Sequence, residues 1–331
     1  MFNIVKPGTN FDFVGKRHIW VGISAVGMIA AFAMLFTKGL NYGIDFTGGA
    51  EVQVKTNADW DIGKVRGLLE KSGIVDPKVQ QVGDPSAHEF IVKAKGAETG
   101  DAAAEEKALD AVSKQLTGLF TQTFGDGSVL RVDVVGPQAG GLLRKKGFLA
   151  MFYALLAILV YVAIRFDTRY APGAVIALFH DSVITLLVFI LTGKQFDLTI
   201  LAAILALIGY SNNDTIIVFD RVRETTHQHP NMTIEQVVNR AINETLGRTI
   251  VTSLTTFLTV SALWWFGGSV LENFAFCLMV GIVVGAYSSV FIASALVITL
   301  TKYQQKRDQK MKMSGGKRKR YEVRGEPKFQ N

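Results

Sequence analysis

A single cysteine, Cys277, stands among 331 residues, so an intramolecular disulfide and any metal site built on paired thiolates are excluded. With only five histidines and no His, Cys, Asp or Glu cluster at ligand spacing, neither a metal centre nor a cofactor is expected. No G-x-x-x-x-G-K-[ST] element exists, which argues against a nucleotide as the energy source. Charge is also thin: 19 % of residues are Asp, Glu, Lys or Arg, against 49 % hydrophobic residues. Together with a mean hydropathy of +0.27, this predicts an integral membrane protein.

Six apolar runs are long enough to cross a hydrocarbon core of ~30 Å as helices, at 19–36, 147–164, 172–192, 198–219, 250–266 and 274–300. The last is over-long and is expected to tilt or to extend past the bilayer. Lys16-Arg17 and Ala31-Phe32-Ala33 have the look of a cleaved leader. That triplet lies inside the run and is followed by Met34-Leu35-Phe36, so an uncleaved anchor is expected.

Six spans put both termini on one side. Arg165 and Arg169, then Arg221, Arg223 and Arg240, and finally the tail with Lys317-Arg318-Lys319-Arg320 mark that side as cytoplasmic. The opposite short loops hold only Lys194, whereas Arg144-Lys145-Lys146 follow a long exported segment, to which the rule applies weakly. Segments 1–18, 220–249 and 301–331 are therefore expected in the cytoplasm. The net charge of +7 is read as orienting the ends and meeting anionic lipid, with no nucleic-acid partner expected.

Between the first two spans, residues 37–146 have the length of a small domain. Strand alternation over 50–56, helical spacing over 61–72, extended segments at 77–82 and 90–94, a long helix over 101–124 and a strand over 129–135 follow one another. Asp101 is expected as the N-cap of the long helix and Gly125 as its stop, with a turn over 83–87. The βαββαβ order is that of a ferredoxin-like α+β unit and shows no catalytic cluster. Two glycine-rich segments flank it: Gly43-Ile44-Asp45-Phe46-Thr47-Gly48-Gly49, and Val135-Gly136-Pro137 with Gly140 and Gly147 beyond. Both read as hinges where the chain leaves the membrane.

The GIDFTGG and VGP segments, His180-Asp181 in the third span, the GYSNNDTIIVFDRVRE run from Gly209 to Glu224, and Arg248-Thr249 before the fifth span resemble, in order, the signatures of the SecF family of the bacterial protein-export machinery. The resemblance runs from Phe11 to about Thr301. It implies one six-span half of a twelve-span unit of the resistance, nodulation and division superfamily, residing in the bacterial cytoplasmic membrane with residues 37–146 on the periplasmic side. SecD would be the other half, with the SecYEG channel and YajC as further partners. The implied activity is non-enzymatic: moving a preprotein outward with the proton motive force. The resemblance also assigns Asp214 and Arg248 to the proton pathway.

The residues support a mechanism of that kind on their own terms. An ionisable Asp inside a span costs about 2.5–3.5 kcal/mol on insertion scales and by default marks an ion path. Asp214 and Arg248 are expected at similar depth, within reach of an ion pair. For Asp214 to switch, burial and the arginine's charge must nearly balance. Thr245, Arg248, Thr252, Thr255 and Thr259 share one helix face, which would suit a watered path, unless each threonine bonds its own i−4 carbonyl. Asp181 is open to either a proton-relay or a helix-bonding role, and His180 leans structural. Asn212 and Asn213 are read as interhelical hydrogen-bonding groups, and Gly281 and Gly285 as a small-residue packing face. Two alternatives remain: a passive scaffold for SecD, and an intramembrane aspartyl protease using Asp181 and Asp214. The protease lacks its Gly-x-Gly-Asp pattern here.

Overall fold

The computed structural model describes residues 9–74, 77–82, 85–94, 102–165 and 170–313. The expectations for Asp101, for the start of the 83–87 turn, for Arg169 and for the basic tail from 314 onward lie outside the described residues.

Helix α1 (Arg17–Thr37) leads into a one-turn helix α2 (Ile44–Thr47) and then the head domain. The head runs β1 (Gly49–Lys55), α3 (Ile62–Lys71), β2 (Lys78–Val82), β3 (Glu89–Ala94), α4 (Ala102–Phe124) and β4 (Val129–Val135), which is the expected βαββαβ order. Asp61 caps α3 by accepting from the Lys64 amide at 2.8 Å, satisfying one of the orphan donors of a helix start. Gly125, at φ +90°, ends α4, where an L side chain would be strained.

The four strands pair antiparallel in the order β2-β3-β1-β4, with Val52 opposite both Val92 and Val132. Because side chains alternate along a strand, Ala50, Val52, Val54, Phe90 and Val92 all face α3 and α4, where Val65, Leu69, Leu116 and Phe120 close the core. The other face is polar. Lys93 Nζ lies 3.4 Å from Glu51 Oε2, and Gln53 donates to Glu89 at 3.0 Å. Burial pushes the Glu51 carboxyl up and the Lys93 ammonium down, each opposed by the charge of the other.

The membrane half comprises α5 (Pro137–Arg165), α6 (Ala171–Thr192), α7 (Leu198–Gln228), α8 (Ile234–Phe266) and α9 (Gly268–Ser288), with a π-helical turn over Ser289–Ala293 leading into α10 (Ser294–Met313). With α1, these supply six helices long and apolar enough to span a membrane. Several outrun the apolar runs. α5 starts at Pro137, so Gly140, Arg144 and Gly147 are helical, and the 220–249 segment expected between spans is a helical hairpin turning near Thr233. A Thr233/Gln236 capping box starts α8, and Arg221 pairs at 2.5 Å with Glu224 one turn on in α7 and with Glu244 of α8 across the hairpin.

α7 runs through the interior of the bundle. A Cβ on Gly281 would collide with the Leu207 side chain, and one on Gly285 would come 3.0 Å from Ser211 Oγ, so these glycines let α9 approach α7 closely as the small-residue spacing implied. Half of the apolar window is buried in each of α6, α7 and the α9–α10 helix, against 11 % in α1, α5 and α8. Those three helices present broad apolar surfaces.

The two ends of the bundle differ. At one end, Asn239 and Asn243 of α8 read the backbone of the N-terminal segment, taking amides of Phe11, Phe13 and Val14 and donating to the Phe11 carbonyl. Lys302 of α10 pairs with Glu235 there. At the other end lie the head and the α6–α7 loop, which touch through Gln195 and Gln80 at 3.3 Å.

Candidate functional site

Asp214 lies midway along α7 and is 2 % exposed. Its one described hydrogen bond comes from Ser253 Oγ of α8, at a long 3.3 Å. Within two turns on α7, Tyr210 Oη, Asn212 Oδ1 and Thr215 Oγ1 are shielded from solvent without a hydrogen-bond partner. Unpaired buried polar atoms of this kind cost about 1–3 kcal/mol each, and these three lie within four residues of Asp214 at different angular positions on α7.

The inward face of α8 is Thr245, Thr249, Ser253 and Thr256, of which Thr245 and Thr249 are buried. The face read from sequence is rotated by one residue: Arg248, Thr255 and Thr259 are exposed and Thr252 half-buried. Thr252, Thr255 and Thr259 each donate to the carbonyl four residues earlier, at 3.0, 2.8 and 2.9 Å. Their hydroxyl protons are thus committed to the helix. Arg248 forms no ion pair with Asp214 within 4.0 Å, so the close pair expected between them is absent among the described residues. Ser253, which makes the contact instead, was missed; its signal was the i, i+4 spacing from Thr245 and Thr249. Asn213 is exposed and Asn212 half-buried.

A second polar centre surrounds Asp181, which is 1 % exposed. Its Oδ1 lies 3.0 Å from His180 Nδ1, and its Oδ2 accepts from Ser211 of α7 at 2.6 Å and from Ser288 of α9 at 2.8 Å. The π turn begins at the residue after Ser288, a distortion that often accompanies functional or tightly packed sites. Asp181 and Asp214 therefore sit in separate hydrogen-bonded environments, with no shared partner of the kind an aspartyl protease dyad requires.

The flanking glycine segments form a third feature, against the start of α7. Asp197 Oδ1 accepts from the Ile200 amide and Asp45 Oδ2 from the Leu198 amide, both at 2.9 Å. Burial holds the Asp197 carboxyl above the usual carboxylate range, against the Ile200 amide and with the nearby Asp45 adding to the rise. Gly48 and Gly49, at φ +72° and +137°, join α2 to β1 in a conformation that other residues adopt only with strain. Gly136 is half-buried and precedes α5, which opens at Pro137.

A six-helix membrane half with a ferredoxin-like head between its first two spans, carrying two buried aspartates on its inner helices, defines the class: a polytopic helical membrane protein with an α+β domain outside the helix bundle. The model of the protein export membrane protein SecD/SecF C-terminal region matches residues 115–303, and that of the SecD/SecF GG motif matches 33–59. The translocase subunit SecF of Calditerrivibrio nitroreducens is 44 % identical over 298 residues, covering 89 % of this chain and 95 % of the relative. That of Pseudomonas aeruginosa is 40 % identical over 297 residues, covering 89 % and 93 %. The crystal structure of SecDF from Thermus thermophilus, a translocon-associated membrane protein, aligns with a TM-score of 0.79 at 34 % identity, covering 89 % of this chain and 39 % of that one. The chain thus spans about two-fifths of the solved SecDF chain. It belongs to the SecF family of protein-translocase subunits.

Proposed function

We infer that the chain acts with a SecD-type partner half to promote outward movement of preproteins at the SecYEG channel, with YajC as a further associate, and that the proton motive force drives it. The observation that carries this reading is Asp214: a carboxylate 2 % exposed within the apolar part of α7, held by one long hydrogen bond. No packing function requires so loosely satisfied a group. Asp214 is the proton carrier in this reading, and Arg248 the cation that offsets its charge when a partner half covers α8. Asp181 with His180, and Asn213, Thr252 and Thr255, supply packing or a relay around it. The broad apolar surfaces of α1, α5 and α8 fit burial against SecD and lipid. Residues Gly43, Asp45, Gly48, Gly49, Gly136 and Pro137 form the base on which the head moves, outside the bacterial cytoplasmic membrane.

The test is export into vesicles containing the SecYEG channel, with and without this chain and its SecD partner. Stimulation is expected with a proton gradient and is expected to vanish with an uncoupler. Stimulation that persists without the gradient would overturn the reading. The exposed position of Arg248 favours a second reading, in which it is an interface contact and this half is a passive scaffold. In that case Arg248→Ala should weaken SecD binding instead of leaving an assembled, inactive complex.

The orientation makes its own prediction. In a Cys277→Ser background, Asp126→Cys on the head should react with an impermeant thiol reagent added outside intact spheroplasts, and Asn231→Cys in the α7–α8 turn should not. Both sites are exposed, so access alone decides the labelling. The reverse pattern would invert the topology.

A further inference from the structure

The first amides of a helix have no intrahelical partner, and caps normally come from the residues just before it. α7 departs from that pattern. Asp197 serves the Ile200 amide locally, but the Leu198 amide is taken by Asp45, 153 positions earlier and on the far side of the head in sequence. We propose that Asp45 is a positioning residue that couples α7, and with it Asp214, to the base of the head. The inference rests on the proton reading of Asp214.

The contacts around Asp45 make residues 41–46 and 193–198 a single block. The Gly43 amide donates to the Phe196 carbonyl and the Phe196 amide to the Asn41 carbonyl, both at 2.8 Å. Asn41 Nδ2 donates to the Gly193 carbonyl at 3.0 Å, and the Phe46 ring stacks on Phe196 with centroids 5.5 Å apart. A Cβ on Gly43 would lie 2.9 Å from Asp197 Cβ, so any larger residue would wedge the two segments apart. α5 backs the block from the other side: a Cβ on Gly140 would come 2.7 Å from the Gly48 nitrogen.

From Asp214 to Leu198 is 16 residues of continuous helix, about 24 Å at the α-helical rise. A hydrogen-bonded helix of that length moves as a rod, so a displacement at its middle arrives at its N-terminus. There Asp45 receives it, and α2 passes it across Gly48-Gly49 into β1, which pairs with both β3 and β4 at the heart of the sheet. The glycine pair supplies the swivel and Asp45 supplies the grip. Leu198 and the other residues of this contact come from segments that hydropathy alone treats as unrelated.

The test uses the full chain assembled with its SecD partner, in a Cys277→Ser background with Lys107→Cys on the head and Lys38→Cys at the end of α1. Both positions are exposed. Nitroxide labels report the head-to-membrane distance distribution, and a hydrophobic carbodiimide reports whether the Asp214 carboxyl is reactive. In the parent, Asp214→Asn should shift the distribution. With Asp45→Ala added, that shift should be lost while carbodiimide labelling of Asp214 in the Asp45→Ala single variant is unchanged. Asp45→Asn, which retains an acceptor oxygen for the Leu198 amide, should keep the shift. An undiminished shift in Asp45→Ala overturns the coupling but leaves the proton reading standing, and so does loss of carbodiimide labelling, which would place Asp45 in the proton site itself. If Asp214→Asn moves nothing in the parent, the proton reading fails and the coupling fails with it.

Discussion

Asp214→Asn is expected to abolish gradient-dependent stimulation of export while the chain still inserts, folds and binds SecD. The two side chains have nearly the same shape, and the amide oxygen can still accept from Ser253 Oγ, so the α7–α8 contact survives. The change in chain stability should stay within ~1 kcal/mol, the net worth of one hydrogen bond. What disappears is the ability to alternate between charged and neutral forms. A proton crossing 100 mV supplies ~2.3 kcal/mol, enough to bias two helix packings about fifty-fold, and the amide forfeits all of it. Asp214→Glu keeps a titratable group and should retain partial activity.

Arg248→Ala provides the matched control. The Arg248 side chain is exposed and makes no described hydrogen bond or ion pair, only a longer-range Coulombic interaction with Asp214, so truncating it should change intrinsic stability by no more than ~0.5 kcal/mol. An inactive but assembled complex would place it with Asp214 in the proton step. Normal stimulation by Asp214→Asn under an intact gradient would make Asp214 structural. Thermal unfolding, SecD co-purification and export measured on the same preparations separate these cases.

Much of the architecture was legible because hydropathy and periodicity act locally. The six spans follow from apolar run length, and the head's element order follows from alternation at 129–135 and helical spacing at 61–72, which the structure reproduces to within a residue or so at each boundary. The helix ends were not legible, since hydropathy stops at the first charged residue while hydrogen bonding does not. α7 continues for nine residues past Phe219 because Arg221 is held by Glu224 and Glu244, which lets the α7–α8 hairpin stand in water. Pro137 likewise begins α5 well before its apolar part, as a residue suited to a helix's first turn.

Of the candidate site, the two acids were legible and their partners were not. Asp181 and Asp214 announce themselves by their cost in an apolar run, but Ser253, Ser211 and Ser288 carry no such penalty and belong to helices whose rotation is set by tertiary packing. The threonine face shows how small the ambiguity is: one residue, about 100° of rotation, separates Thr252 and Thr255 from the line through Thr249 and Ser253. The contact between Asp45 and Leu198 had no local signal of any kind.

Asp181→Leu is expected to destabilise the membrane half, whereas Asp181→Asn is expected to leave both fold and export largely intact. The carboxylate joins three helices, α6 through its own backbone and α7 and α9 through Ser211 and Ser288. Interhelical hydrogen bonds in membrane bundles are worth ~0.6–1.7 kcal/mol each, so losing both removes roughly 1–3 kcal/mol. Ser211 would also be left buried without a described partner, since its hydroxyl is bonded to Asp181 alone, while Ser288 retains the Gly285 carbonyl at 3.2 Å. Asparagine can keep the network, because its amide oxygen, placed where Oδ2 stands, accepts from both Ser211 and Ser288 while its amide nitrogen faces His180 Nδ1. Thermal unfolding in detergent should therefore fall markedly for Asp181→Leu and little for Asp181→Asn. Export supplies the deciding measurement: an Asp181→Asn chain that unfolds like the parent but loses its response to the gradient would move Asp181 from the packing of α6 into the proton path.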